Sequence, residues 1–130
     1  MKVDAVSRYG DAGPGQPGSV MTLTFQMNGQ KMMALNGGPV YKFTPAVSFI
    51  VECEDQKEVD YYWDHLTEGG EEVQCGWLTD KFGLSWQIVP KELEILMSDP
   101  DPVKVKRVTE AMLKMIKLDI NMLKSAYKGG

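Results

Sequence analysis

Apolar and polar residues alternate in the first third of the chain. VDAVSRY, residues 3–9, predicts an opening strand, and VMTLTFQM, residues 20–27, predicts a second. In the second, Met21, Leu23, Phe25 and Met27 share one face, and Thr22, Thr24 and Gln26 share the other, the period of two of a half-buried strand. Asn28-Gly29 supplies a type I′ turn, because both residues tolerate positive φ. The return strand is QKMMALN, and a two-residue turn sets Phe25 opposite Met32 and Leu23 opposite Ala34. Gly37-Gly38-Pro39 then breaks the chain.

After a buried strand at AVSFIVEC, residues 46–53, the period changes. Val59, Tyr62, Trp63 and Leu66 fall at i, i+3, i+4 and i+7, one apolar stripe of a helix. Asp55 is placed to cap it with Glu58 three residues on, and Gly69-Gly70 ends it. EEVQ, GWLTD and LSWQIV read as short strands, with DKFG as the turn before the last. Pro90 to Met97 predicts a short helix. Asp101 caps a longer one with Pro102 in its first turn, and its stripe runs through Val105, Val108, Met112, Met115 and Ile116. Asp119 caps the last helix, with Leu118 and Leu123 at the spacing of a hydrophobic staple. The order β-α-β-β-β thus fills residues 46–89. Three strands precede it and helices follow it, which predicts an α+β protein with one whole module and most of another.

Length and composition narrow the setting. A chain of 130 residues and 14.5 kDa suits a single domain, 1–130, with one sizeable core. Its net charge of −4 argues against a nucleic-acid partner. No apolar run reaches the ~18 residues of a membrane span, and no leader-like apolar stretch follows Met1. Cys53 and Cys75 are the two cysteines; without a leader they read as free thiols, so the chain is expected to be cytoplasmic.

Candidate chemistry is sparse. Gly13, Gly15 and Gly18 spell G-x-G-x-x-G, but a strand rather than a helix follows. Pro14 and Pro17 also lack two of the N–H groups that would hold a phosphate, so the stretch reads as a mobile loop that binds no nucleotide. Cys75 has no neighbouring base or cation in sequence and reads as a structural thiol. His65, the sole histidine, points away from the apolar stripe of its helix. Glu71 and Glu72 read as an exposed turn, and the cations Lys104, Lys106, Arg107, Lys114 and Lys117 as the wet side of the long helix. One amide, Gln87, interrupts the apolar strand GLSWQIVP. Strand parity places Ser48 and Ser85 on its face and Trp86 on the opposite one, while Trp77 is assigned to the side of Gln87.

ALNGG, the run EEVQCGWLTDKFGLSWQIVP and the tail pattern DPDP…RV…AML.M.KLDI..L..AY resemble PhnB-like proteins. These belong to the glyoxalase/bleomycin-resistance/dioxygenase, or vicinal oxygen chelate, superfamily, and many carry the name demethylubiquinone methyltransferase. The resemblance implies two βαβββ modules forming a curved sheet around a cavity, followed by a helical extension. It divides the chain into an incomplete first module (1–38), a complete second module (46–89) and the extension (90–130). Members normally begin with a further strand and helix ahead of the segment matching VSRYG, and here Met1 stands a few residues before it. The resemblance also implies a homodimer, in some members with exchanged elements. Metal-dependent members take ligands from the first and last strand of each module. Those positions match Ala46, about Ala34, and Gln87, a set without His or carboxylate, so no metal and no cofactor is expected.

The leading expectation is a metal-independent protein that binds or sequesters a small molecule in a cavity lined by Gln87, Ser48, Trp77 and Ser85, with no catalytic residue assigned. A superfamily enzyme is the alternative, either a metal-dependent isomerase or lyase or a methyltransferase. Against methyl transfer stands the glycine cluster, which joins strand to strand. A third class is a structural, dimer-forming remnant without a cavity.

Overall fold

Three antiparallel strands open the chain: β1 (Lys2–Arg8), β2 (Val20–Met27) and β3 (Gln30–Leu35), in the order β1-β2-β3. The computed structural model describes residues 1–130. The hairpin has the register that alternation predicts, Leu23 opposite Ala34 and Phe25 opposite Met32. Asn28 (φ 50°) and Gly29 (φ 77°) form its turn in the left-handed region.

β1 begins one residue before the predicted strand and ends one residue sooner, because Tyr9 leaves it. The Tyr9 ring is the one buried large side chain of residues 1–42. Loop 10–19 closes over it. The Tyr9 N–H donates to Ser19 O (2.9 Å), the Gly18 N–H donates to Tyr9 O (2.8 Å), and the phenol hydroxyl donates to the Asn36 carbonyl. Gly15 lies flat on the ring, where a Cβ would stand 2.1 Å from two ring carbons. The glycine-rich stretch expected to be mobile is therefore tied at both ends and wrapped around an aromatic anchor.

These strands form one compact unit, Met1–Lys42, and Phe43–Gly130 form a second. In the second, β4 (Ser48–Cys53) leads into α1 (Gln56–Thr67), followed by β5 (Glu71–Glu72), β6 (Trp77–Thr79) and β7 (Ser85–Pro90). The sheet order is β4-β7-β6-β5, with β4 parallel to β7 and the other pairs antiparallel. β4 starts two residues after Ala46, whose N–H instead turns back to the Thr44 hydroxyl (3.3 Å). The strand predicted over EEVQ shrinks to Glu71–Glu72 because Gln74–Trp77 forms a turn. Asp55 caps α1 as predicted, accepting from the Glu58 N–H at 2.8 Å.

α1 packs one face of this sheet and buries Cys53, Val59, Trp63, Leu78 and Ile88, with Trp86 at the edge. Trp86 meets Phe49 at 5.3 Å between ring centroids and donates its indole N–H to Asp80 (2.9 Å). The indole of Trp63 is likewise satisfied, by Glu72 at 2.9 Å, as a buried N–H requires.

The tail forms α2 (Lys91–Met97), α3 (Pro102–Leu113) and α4 (Ile120–Lys128), capped at Asp101 and Asp119 as the sequence predicts. Its own core contains Leu93, Leu96, Val108, Met115, Leu118 and Leu123. α3 stops at Leu113, so Met115 and Ile116 belong to the turn that follows; Met115 points inward and Ile116 outward. That turn is fastened to the sheet. Its Met115 and Ile116 carbonyls accept from the N–H groups of Cys75 (2.8 Å) and Gly76 (2.7 Å). Both donors sit at positive φ, 59° and 81°. A Cβ on Gly76 would meet Ile88 O at 2.9 Å and Leu118 at 3.1 Å, so the close approach requires glycine. The Gln56 amide adds a second fastening: it donates to Asp60 (3.0 Å) and to Leu118 O (3.1 Å), and accepts from the Ile120 N–H (2.8 Å).

Candidate functional site

With α1 on one face of the β4-β7-β6-β5 sheet, the other face carries the candidate site. Register puts Ser48 beside Ser85, Ile50 beside Gln87 and Glu52 beside Val89, with Trp77 across from Gln87 on β6. All these side chains project to one side, since directly paired residues share a face. The structure thus brings Ser48, Ser85, Gln87 and Trp77 to one face.

They do not all reach the same hollow. A cleft of about 370 Å³ is walled on the sheet side by Ile50, Trp77, Gln87 and Val89, and on the tail side by Leu93, Met112 and Leu118. That volume lies at the small end of the usual range for ligand sites. Ser48 reaches the cleft only through Gln87, whose Nε2 donates to its hydroxyl at 3.0 Å. Ser85 is buried and outside the lining. With Nε2 engaged, the Gln87 carbonyl oxygen makes no bond within the chain and stands ready for a donor.

Sequence reasoning missed the tail residues altogether. Parity could have found Ile50 and Val89, but nothing in the local pattern says that Leu93, Met112 and Leu118 close the cleft. Cys75 also lines it, brought there by its left-handed backbone.

At the mouth stand Glu52, Lys91 and Glu94. Lys91 is engaged by Glu54 and lies 3.8 Å from Glu52, so its pKa is raised, first by the hydrogen bond to Glu54 and then by that residue's charge. On the helix side, burial pushes the Cys53 thiol up to about 11, with Glu58 and Asp55 adding to the shift. Cys53 is thus a buried thiol without nucleophilic character at neutral pH.

A larger hollow, about 550 Å³, lies beside Tyr9 in the first unit, walled by Gly15, Leu35, Asn36, Gly37 and Gly38 among others. Its one titratable side chain, Tyr9, is already bonded to Asn36. The smaller cleft has the chemistry and is the better candidate.

The donor set does not fit a transition metal. Gln87 has Ile50 and Trp77 as cross-strand neighbours, neither of which can ligate, and although Cys75, Glu52 and Glu94 also line the cleft, no three His, Cys, Asp or Glu side chains come together as a metal site requires. Ala46 precedes β4, and Ala34 stands on β3 opposite Leu23. His65 is exposed on α1, its Nδ1 2.7 Å from Tyr61 O and its ring 4.2 Å from that of Tyr61. Nor does the glycine loop fit a nucleotide-like methyl donor, since it wraps Tyr9 and enters β2 instead of a helix.

Residues 1–89 match the family described as 3-demethylubiquinone-9 3-methyltransferase. Among solved structures, the chain is similar to a PhnB protein of Bacillus cereus carrying that same methyltransferase name. The two share 35% identity with a TM-score of 0.62, over 68% of this chain and 78% of the other. A Pseudomonas aeruginosa protein shares the fold, at 18% identity and a TM-score of 0.55 over 68% and 77% of the two chains. No curated protein matches. The family match ends at Val89, immediately before the tail that forms the far wall of the cleft.

Proposed function

The chain belongs to the 3-demethylubiquinone-9 3-methyltransferase family, PhnB-like proteins of glyoxalase-like fold, and on that premise we propose that it binds a small molecule without a metal ion. The cleft between β7 and the tail carries the reading. It combines apolar walls with one polar group, the Gln87 amide, which is held by Ser48 and has a free acceptor. Few polar groups set precisely in an apolar hollow are the usual composition of a ligand site. Gln87 orients the ligand, and Trp77 offers an aromatic surface. The working compartment in this reading is the cytoplasm.

The test is a thermal-shift screen of uncharged metabolites against the purified chain, followed by calorimetry. A ligand whose effect is lost in Trp77→Ala supports the reading. Stoichiometric zinc, nickel or iron in protein purified without chelator would overturn the metal-free part of it. The activity in the family's name supports an enzyme as the second reading; methyl transfer from S-adenosylmethionine to a phenol is its direct assay.

The proposal extends to self-association. No helix of the first unit covers its sheet, and Met33 and Leu35 are exposed on one side while Val3 and Val6 are about half exposed on the other. Burial of such side chains is worth ~1.5–3 kcal/mol each, so a second copy is the expected partner. Sedimentation across a dilution series should show a dimer at micromolar concentration. A folded monomer there would refute it.

A further inference from the structure

We infer that the mouth of the cleft selects the ligand by charge: the cleft takes an uncharged, ring-bearing molecule and turns anions away, with Glu52 of β4 and Glu94 of α2 as the discriminating residues. The inference rests on the binding reading above and adds the ligand class.

The walls set the first half of the class. Val89, Leu93, Met112 and Leu118 are apolar, and Leu118 is fully buried. A charged group pushed against them would lose its hydration and find no counter-ion. Trp77 and the unpaired Gln87 acceptor favour a flat molecule with one donor on its edge.

The mouth sets the second half. Glu52 and Glu94 stand there against one cation, Lys91, whose ammonium is already engaged by Glu54 and Glu52. An arriving anion therefore meets two carboxylates and no free cation. Lys91 and Glu94, like Leu93 between them, sit on α2, beyond the end of the family match at Val89. The charge filter is accordingly shared between the sheet, through Glu52 on β4, and the tail, through Glu94 on α2.

Two dyes test this directly, because they share one ring system and differ by a single sulfonate: N-phenyl-1-naphthylamine, uncharged, and 8-anilinonaphthalene-1-sulfonate. The neutral dye should bind at least about threefold more tightly at low salt, the scale expected for exposed charges several ångströms away. Raising the salt to half molar should shrink that preference, and so should the double substitution Glu52→Gln and Glu94→Gln. Trp77→Ala should weaken both dyes. Equal or tighter binding of the sulfonate by the native chain, still dependent on Trp77, would overturn the charge filter and leave the binding cleft standing. Binding of neither dye, or binding indifferent to Trp77→Ala, would overturn the cleft reading and this inference with it. Should the double variant lose its circular dichroism, the salt series on the native chain decides.

Discussion

The two units of this chain each build a sheet, three antiparallel strands in the first and four mixed strands in the second, and bury it very differently. In residues 1–42, three strands accompany a single buried ring, Tyr9, held under the 10–19 loop. In residues 43–130, a helix lies on one face of the sheet, and the tail makes a second core beside the other face. A strand can bury only alternate side chains, so a sheet gains a core only when a second layer covers it. The first unit replaces that layer with a glycine loop folded over a tyrosine, which protects one ring and leaves the sheet without a helical layer of its own. The second has a real layer on one side and a partial one on the other, and the part left uncovered is where the cleft lies.

The largest effect should come from separating tail and sheet. Gly76→Val places a branched side chain at φ 81° and against Ile88 O, and should cost on the order of 3 kcal/mol. Urea denaturation of the variant should show this loss, with dye binding in the cleft gone before the helix signal collapses. A variant as stable as the native chain would mean that the tail is not held at this point.

The matching change in the first unit is Gly15→Ala. Its Cβ would collide with the Tyr9 ring, and ~1–3 kcal/mol of local stability should be lost. Hydrogen exchange should accelerate in β1 and β2 and stay unchanged in β7. Acceleration throughout the chain would show that the units do not behave separately.

Acid should loosen the tail first. The Lys117 ammonium, and next the Gln56 amide, hold Asp60 below its ordinary pKa; the Tyr127 hydroxyl, and next the Asp101 N–H, do the same for Asp99. A folded-state pKa below the unfolded one gives stability that is complete above the unfolded value of ~3.9 and is lost as pH falls through the folded value. Below about pH 4, exchange should rise in α3 and α4 before α1, and Asp60→Asn should flatten that dependence. The Lys117–Asp60 pair is well exposed and the Asp99–Tyr127 pair only half-buried, so the effect is modest.

Smallest of all should be Gln87→Leu. The amide is half-buried and its one bond goes to Ser48, so the exchange should shift stability by less than ~1 kcal/mol in either direction. Donor-bearing ligands should bind more weakly all the same. A large loss of stability would make Gln87 a structural hub.

Periodicity carried most of the fold. The hairpin register, the α1 stripe and the caps at Asp55, Asp101 and Asp119 all rest on neighbours a few residues apart, and these are written locally. The local pattern placed Gln87 on its strand, the resemblance marked its position as one facing a cavity, and parity aligned Ser48 and Ser85 with it. What could not be read was long-range closure. Leu118 and Met112 look like ordinary helix-core positions until the tail is seen folded beside β7. The positive φ of Cys75, a residue that rarely adopts it, carries no sequence signature either. The packing of the loop at 10–19 could not be read either, because glycine and proline normally mean freedom, whereas here the absent Cβ of Gly15 makes room for a ring.

The fork made by Gln56 has a consequence in time. Its partners, Leu118 O and the Ile120 N–H, lie 62 and 64 residues further along the chain. A ribosome adds ~5–20 residues each second, so α1 waits several seconds with that amide facing water. During this interval the sheet emerges with its helix on one face and nothing on the other. The nascent second module is therefore a half-finished object, its cleft wide open, until α4 leaves the exit tunnel and Leu118 closes over Gly76. Closing so distant a loop places the docking of the tail after the formation of α1 and its sheet.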